Sequence, residues 1–179
     1  YEKLLSERTK IVAVTHASNA LGTILPIKEI TALAHKHGAV TVVDGAQGVP
    51  HLPVDMQELD CDFYAFSGHK LFGPTGVGVL YGKKQLLETM PPWEGGGSMI
   101  QRVSFEGTTY ADPPTRFEAG TPNIAGTIGL GAAIDYVTGL GREAIAAHEH
   151  ALYEYAVARL SEINSLHMIG TAREKVSIV

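Results

Sequence analysis

The chain has 179 residues, of which 45% are hydrophobic and 18% charged, and its formal net charge is −5. This composition is typical of a folded globular protein and excludes intrinsic disorder. Nineteen acidic residues outnumber fourteen basic ones and no basic cluster is present, so neither nucleic acid nor a membrane surface is an expected partner. A single cysteine excludes an internal disulfide, and no apolar stretch is long enough to cross a bilayer, which together favour the cytoplasm.

The first half of the chain predicts strands that alternate with helical segments. Strand-forming runs cover Lys10–His16, Ala39–Asp44, Cys61–Ser67 and Val77–Gly82. Between the first two runs, Pro26 and Gly38 are typical of a helix start and a helix stop, and one helical turn is expected within Val54–Asp60. The first three strands are expected to be parallel and the fourth antiparallel, because only a tight Gly/Pro turn precedes it. The pattern predicts an α/β fold whose ligand site lies at the carboxyl edge of the sheet.

After Gly82 the pattern changes. It predicts a short helix to Met90, a hairpin within Ile100–Glu118, and two helices over Ile124–Val137 and Arg142–Ile163. The last helix has apolar residues at Ile145, Leu152, Ala156, Val157 and Leu160, so one of its faces is expected to be buried.

Glycines at 139 and 141 predict a boundary that separates residues 1–140, part of a large domain, from residues 141–179, a linker helix and the start of a small C-terminal domain. The first ten residues are typical of the end of an amphipathic helix, and the last five of a strand. We therefore expect an internal piece of a longer polypeptide.

Three polar clusters follow the first three predicted strands, at His16–Asn19, Asp44–Gln47 and Ser67–Lys70. Neighbouring strands lie about 5 Å apart, so side chains from three strand ends can converge on one planar ring. A carboxylate that ends a buried strand, as Asp44 is expected to, is costly unless it meets a cation. The nitrogen of a pyridinium ring meets that need, and a lysine at the next strand end can react with an aldehyde on the same ring. The clusters therefore predict a pyridoxal 5'-phosphate (PLP) site.

Five stretches carry a resemblance to a known family: THASNALGT, VDGAQ, DFYAFSGHKLFGPTGVGVLYG, PPWEGGGSMI and RFEAGTPN. They resemble the group II cysteine desulfurases and selenocysteine lyases, which are PLP enzymes of the class V aminotransferase fold. The resemblance covers nearly the whole chain. It implies a PLP-dependent transferase fold of type I, with a mainly parallel sheet and flanking helices, represented here by the central part of the large domain and the start of a small one.

The resemblance also implies roles for individual residues. Lys70 matches the lysine that forms a Schiff base with PLP, and Asp44 matches the partner of the pyridine nitrogen. Other cofactor-binding positions are matched near the ring hydroxyl by Gln47 and Asn19, and at the phosphate by Ser67 and His69. Thr121 matches a threonine that reaches the phosphate of the neighbouring subunit, so a homodimer is implied. No metal site is implied.

The reaction implied is the removal of sulfur from L-cysteine, which leaves L-alanine and an enzyme persulfide that supplies a sulfur-acceptor protein for iron–sulfur cluster assembly. The family's persulfide cysteine, its substrate-binding arginines and its ring-stacking histidine match no residue of this chain. Cys61 begins a predicted buried strand and does not match the persulfide position.

Several alternatives remain open at this point. The substrate can instead be selenocysteine, or the chain can be another class V enzyme of the kynureninase type. A non-catalytic, dimer-forming domain is the alternative from another class. Asp44 can cap a turn, and His69 can be structural. The His-x-His pairs at 35 and 37 and at 148 and 150 cannot chelate from a helix, so they are expected to be solvated, and the glycines after Lys70 fit neither a dinucleotide nor a P-loop pattern.

Overall fold

The computed structural model describes residues 1–179 and is organised around a four-stranded sheet. Its strands, in the order in which they pair, are β1 (Ile11–Thr15), β2 (Val40–Asp44), β3 (Phe63–Ser67) and β4 (Gly78–Gly82). The first three are parallel and β4 runs antiparallel to β3, as the sequence predicted. The parallel strands are rich in Val, Ile and aromatic residues, which is typical of strands covered on both faces, although Ile11 and Ala13 on one face of β1 are exposed here.

The helices account for most of the remaining chain. They are α1 (Ile27–Lys36), α2 (Gly48–His51), α3 (Met56–Leu59), α4 (Lys84–Thr89), α5 (Ile124–Leu140) and α6 (Arg142–Ser161). Short 3-10 helices cover Glu2–Leu4, Gly68–Leu71 and Thr115–Phe117, and a separate hairpin pairs β5 (Ile100–Ser104) with β6 (Gly107–Tyr110). All the predicted helices after the first ten residues are present, whereas the four-residue α2 was not predicted.

The core lies against the two central strands. Val43 of β2 and Tyr64 of β3 are fully buried, in one cluster with Ile27 of α1 and Leu130 of α5. Burying such side chains contributes about 1.5–3 kcal/mol each to folding, so this cluster is what fixes β2 and β3 side by side.

A second, polar anchor lies at the amino edge of the sheet, where β2 and β3 begin. The buried carboxylate of Asp62 accepts hydrogen bonds from the Thr41 amide (2.7 Å), the Thr41 hydroxyl (3.0 Å) and His35 Nε2 (2.9 Å). Lys83 Nζ lies 3.2 Å from the other carboxylate oxygen of Asp62 and 2.6 Å from Asp60 Oδ1. His35 and His37 were expected to be solvated, and this was wrong because both are half-buried, His35 against Asp62 and His37 with its Nδ1 2.9 Å from the Leu33 carbonyl oxygen.

Burial alone would raise the pKa of the Asp62 carboxyl, but the hydrogen bonds that it accepts outweigh burial and hold its pKa below the ordinary value. Burial likewise works to lower the pKa of Lys83, and the hydrogen bonds to Asp60 and Asp62 reverse that effect, so the pKa of Lys83 is raised. Asp62 is thus held in its charged form chiefly by Thr41 and His35, and Lys83 by Asp60 and Asp62.

Three expectations for the outer parts of the chain were wrong. Helix α6 has no fully buried residue: Leu152 is 55% exposed, and Ile145, Ala156, Val157 and Leu160 are only half-buried. The last five residues form no strand beyond a single bridge between Thr23 and Lys175. The chain starts with a 3-10 turn rather than the end of an α-helix. No single helix is both long and apolar enough to span a bilayer.

Candidate functional site

Three strand ends meet at the carboxyl edge of the sheet. Thr15, the last residue of β1, is in register with Asp44, the last residue of β2, and Asp44 is in register with Ala65 of β3. The polar clusters that follow β1, β2 and β3 therefore project from adjacent positions along one edge. Six of the seven predicted site residues lie on these segments: Asn19, Asp44, Gln47, Ser67, His69 and Lys70.

Asp44 differs from the expectation in its exposure. It ends a buried strand but is itself exposed, and its Oδ1 accepts a hydrogen bond from the amide of Ala46 at 2.9 Å. The argument that a buried charge here needs a cation was therefore wrong, because water can solvate this carboxylate. The alternative in which Asp44 caps a turn is realised in the structure. A single backbone donor leaves most of the acceptor capacity of the carboxylate available to a ligand.

Lys70 lies in the 3-10 helix Gly68–Leu71 that follows β3, and it is half-buried. The glycines around it are needed for close packing. A Cβ on Gly68 would lie 2.8 Å from Val77 Cγ1, and a Cβ on Gly73 would lie 3.0 Å from both the Gly68 carbonyl and Leu130 Cδ1. The Lys70 turn therefore packs closely against Val77, which precedes β4, and against Leu130 of α5, and these contacts fix the position of the lysine.

The other candidates are loop residues with mixed exposure. Gln47 precedes α2 and is half-buried, as is Ser67 at the end of β3, whereas His69 and Asn19 are exposed. Thr121 is exposed in the loop before α5, where Asn123 caps the helix by accepting from the Gly126 amide at 3.0 Å. Thr121 thus stands apart from the three strand ends.

The largest cavity, about 660 Å³, lies beside the Thr121 loop and includes Gly120, Pro122 and Trp93 in its lining. None of the seven predicted site residues lines it. The three strand ends instead form an open edge, so the candidate site is argued from its side chains and not from an enclosed volume.

Two side chains lie buried beneath this edge: Tyr64 was not predicted as part of it, and His16 was named only as the first residue of the polar cluster after β1. His16 and Tyr64 are both buried, and His16 Nδ1 lies 2.8 Å from the Tyr64 hydroxyl oxygen directly under Gly45 and Gly48. Burial lowers the pKa of His16, and burial followed by the charges of Cys61 and Asp44 raises the pKa of Tyr64, so both are neutral. The glycines in the sequence DGAQG are a signal of close packing, but they do not identify the residues below them.

The charges at the edge are suited to a zwitterionic aromatic ligand. The chain has ten ion pairs, and neither Asp44 nor Lys70 takes part in any of them. A carboxylate at the end of β2 and an amine in the turn after β3 therefore remain available, with hydroxyl, amide and imidazole donors from Ser67, Gln47 and His69 nearby in the chain. This donor set fits a ring that presents a protonated nitrogen, an aldehyde and a phosphate.

Comparison with known proteins shows the family to which this chain belongs. The family model for aminotransferase class-V matches residues 1–179. The chain belongs to the class V aminotransferase family. A cysteine desulfurase from Dickeya dadantii is 64% identical over 168 residues, which cover 93% of this chain and 41% of that protein. The class V chain thus spans less than half the length of this relative.

Solved structures agree with this class V assignment. The structure of the cysteine desulfurase CsdA from Escherichia coli superposes with a TM-score of 0.87 at 46% identity, covering 90% of this chain and 40% of that one. A C-DES variant with glycine covalently linked to its PLP cofactor superposes with a TM-score of 0.85 at 30% identity, covering 96% and 46%. These likenesses confirm the predicted family and fold, including the mainly parallel sheet. The group II subtype stays a prediction.

Proposed function

We propose that this chain is the cofactor-binding part of a PLP-dependent cysteine desulfurase, which removes sulfur from L-cysteine and leaves L-alanine and an enzyme persulfide. The observation that carries the proposal is the pair of unpaired opposite charges, Asp44 and Lys70, that follow adjacent parallel strands. The names of the relatives support the substrate, and the PLP in the C-DES structure supports the cofactor.

Each candidate residue has a distinct task in this proposal. PLP, when bound, supplies an electron sink for the bond that breaks in the substrate. The Asp44 carboxylate accepts a hydrogen bond from the ring nitrogen and keeps it protonated. Lys70 would hold the cofactor through its Nζ and, once the substrate amine had displaced it, the freed amine would carry the α-proton of the substrate. Ser67 and His69 hold the phosphate, and Gln47 and Asn19 orient the ring from the side of its hydroxyl.

The proposal extends to a second subunit. Thr121 is assigned to the phosphate of the neighbouring copy in a homodimer, and its exposed side chain in the loop before α5 is consistent with contact outside its own chain. Residues 1–140 are assigned to the large domain and residues 141–179 to a linker helix and the start of a small domain. Gly141, the one residue between α5 and α6, supports this division.

The acceptor of sulfur within this enzyme is not Cys61. This cysteine, the single one in the sequence, is fully buried, and burial raises the pKa of its thiol. A sulfur-accepting cysteine must instead be reached by substrate as a thiolate. We assign the persulfide to a cysteine outside these residues and its final destination to an acceptor protein for iron–sulfur cluster assembly, in the cytoplasm.

Covalent labelling tests the cofactor site directly. The chain is incubated with PLP, reduced with borohydride, digested, and analysed by mass spectrometry for a modified lysine. We expect the modification at Lys70, and its loss in Lys70→Ala. Lys36→Ala is the matched control, because Lys36 is an exposed lysine at the end of α1, four residues before β2 begins and thus at the amino edge of the sheet. Equal labelling of Lys70 and Lys36 would refute a specific site.

A second variant tests the role of Asp44. Asp44→Ala is expected to weaken PLP binding and to abolish the exchange of the substrate α-proton with solvent, because the ring nitrogen is no longer kept protonated. Asp55→Ala, which removes an exposed N-cap carboxylate from α3, is the control. A wild-type chain that takes up no PLP at all would favour the non-catalytic alternative.

A further inference from the structure

The segment that carries Asp44 and Gln47 rests on two buried polar side chains. Tyr64 of β3 is 0% exposed and His16, which follows β1, is 6% exposed. Their hydrogen bond, 2.8 Å from Nδ1 to the hydroxyl oxygen, joins the two strands that flank β2. The rings are perpendicular, with centroids 5.8 Å apart. Since both groups are neutral, this bond is a bridge under β2 and not a charge pair.

The contact between this bridge and the segment above it is very close. A Cβ on Gly45 would lie 1.8 Å from Tyr64 Cε1. A Cβ on Gly48 would lie 2.4 Å from the Tyr64 hydroxyl oxygen and 2.8 Å from His16 Nδ1. Asp44 precedes Gly45 and Gln47 precedes Gly48 in the sequence. The positions of Tyr64 and His16 therefore limit how closely the backbone that carries Asp44 and Gln47 can approach the sheet.

Backbone hydrogen bonds tie the same segment to both flanking strands. The His16 amide donates to the Asp44 carbonyl at 2.8 Å, and the Gly45 amide donates to the Ala65 carbonyl at 2.7 Å. The Val49 amide then donates to the Gly45 carbonyl at 2.9 Å and starts α2. Each bond involves, or is adjacent in sequence to, a member of the bridge or a glycine that touches it.

We propose that His16 and Tyr64 are positioning residues whose hydrogen bond holds the segment 44–48 in the place from which Asp44 and Gln47 bind the cofactor. This inference rests on the proposed PLP site. Neither side chain touches the cofactor in this proposal, because both are covered by the glycine backbone. Their part is to set where the carboxylate and the amide above them point.

Removing one hydroxyl is the least disruptive test. Tyr64→Phe keeps the ring under Gly45 and leaves His16 Nδ1 without its partner. An unsatisfied buried polar group corresponds to about a tenfold change in a local equilibrium. We expect the Gly45 and Val49 amides to exchange with solvent about tenfold faster, and the dissociation constant of PLP to rise by about the same factor. His16→Asn, which retains a hydrogen-bonding atom close to the ring nitrogen, is expected to stay nearer to wild type than His16→Ala.

Tyr81→Phe is the matched control. Tyr81 lies on β4 in register with Tyr64, and its hydroxyl has no hydrogen bond to another residue. Support requires faster exchange and weaker PLP binding in Tyr64→Phe relative to Tyr81→Phe. Faster exchange with unchanged PLP affinity would overturn the positioning role, as would wild-type exchange in Tyr64→Phe. If the wild-type chain binds no PLP, the proposed function fails, and the exchange rates alone then decide whether the bridge holds the segment.

Discussion

At the amino edge of the sheet, the Asp62 carboxylate is buried and accepts hydrogen bonds from Thr41 and His35, with the Lys83 ammonium 3.2 Å away. At the carboxyl edge, Asp44 is exposed and accepts one hydrogen bond, from the Ala46 amide. The two aspartates flank the same pair of strands, yet only the first has its hydrogen-bonding capacity filled within the chain. Charges that a fold leaves unpaired at a rigid edge are the ones available for a ligand.

The largest expected effect comes from breaking the amino edge. Asp62→Ala leaves the buried Thr41 amide and hydroxyl without their acceptor, whereas Lys83 keeps Asp60 as a partner. A buried polar group left unsatisfied costs about 1–3 kcal/mol, so the loss of both costs about 2–6 kcal/mol. The free energy of unfolding, measured by urea denaturation with circular dichroism, should fall by that amount. Asp44→Ala, the same substitution at the other edge, should change it by less than about 0.5 kcal/mol. Similar losses in the two variants would remove the contrast between the edges.

A smaller loss is expected from crowding the carboxyl edge from above. In Gly45→Ala the new methyl group meets the Tyr64 ring, which is fully buried and has no room to move away. Such overpacking costs about 1–3 kcal/mol of unfolding free energy. Gly95→Ala is the control, because no atom lies within 4 Å of a Cβ built there. Thermal denaturation of the two variants compares them, and an unchanged midpoint in Gly45→Ala would contradict the close packing.

The dependence of the unfolding free energy on pH distinguishes the aspartates at the two edges. The pKa of Asp62 is lowered from its ordinary value of 3.8, so this group stabilises the folded state above that pH, and the contribution is lost as pH falls through the folded pKa. The free energy of unfolding of the wild-type chain should therefore drop more steeply below about pH 4 than that of Asp62→Asn. Asp44→Asn serves as the comparison and should keep the steep wild-type acid dependence. Parallel curves for wild type and Asp62→Asn would show that Asp62 is not the group responsible.

Much of the sheet could be predicted from the sequence, because the evidence for it is local. Continuous runs of β-branched residues such as Val40–Asp44 predict buried parallel strands, and the short Gly/Pro turn before β4 predicts an antiparallel partner. The expected burial of one face of α6 was wrong because this evidence is only local. Apolar spacing shows which face of a helix can be buried, but not whether another element packs against it. A helix is buried only where another layer of the chain meets it.

The site was predictable as a set of residues and less so as an environment. Asp44 and Lys70 were found because strand ends bring together residues that follow them. The exposure of Asp44 was not predicted, because it depends on which other parts of the chain cover the carboxyl edge of the sheet. The bridge between His16 and Tyr64 joins residues 48 positions apart, and it can be identified only once the strand order is known.

Substitution of Lys70 is expected to change the free energy of unfolding least and cofactor attachment most. Lys70 is half-buried and takes part in none of the chain's ion pairs, so Lys70→Ala should alter the free energy of unfolding by no more than about 0.5 kcal/mol. Lys83→Ala, which removes the partner of Asp60 and Asp62 at the other edge, should cost measurably more. Urea denaturation and borohydride-fixed PLP labelling are measured on both variants. The contrast between the edges is supported if Lys70→Ala loses the PLP label and keeps its stability, while Lys83→Ala keeps the label and loses stability. A residue available to a ligand then contributes little to the stability of the fold. A large loss of stability in Lys70→Ala would instead assign this lysine to the fold.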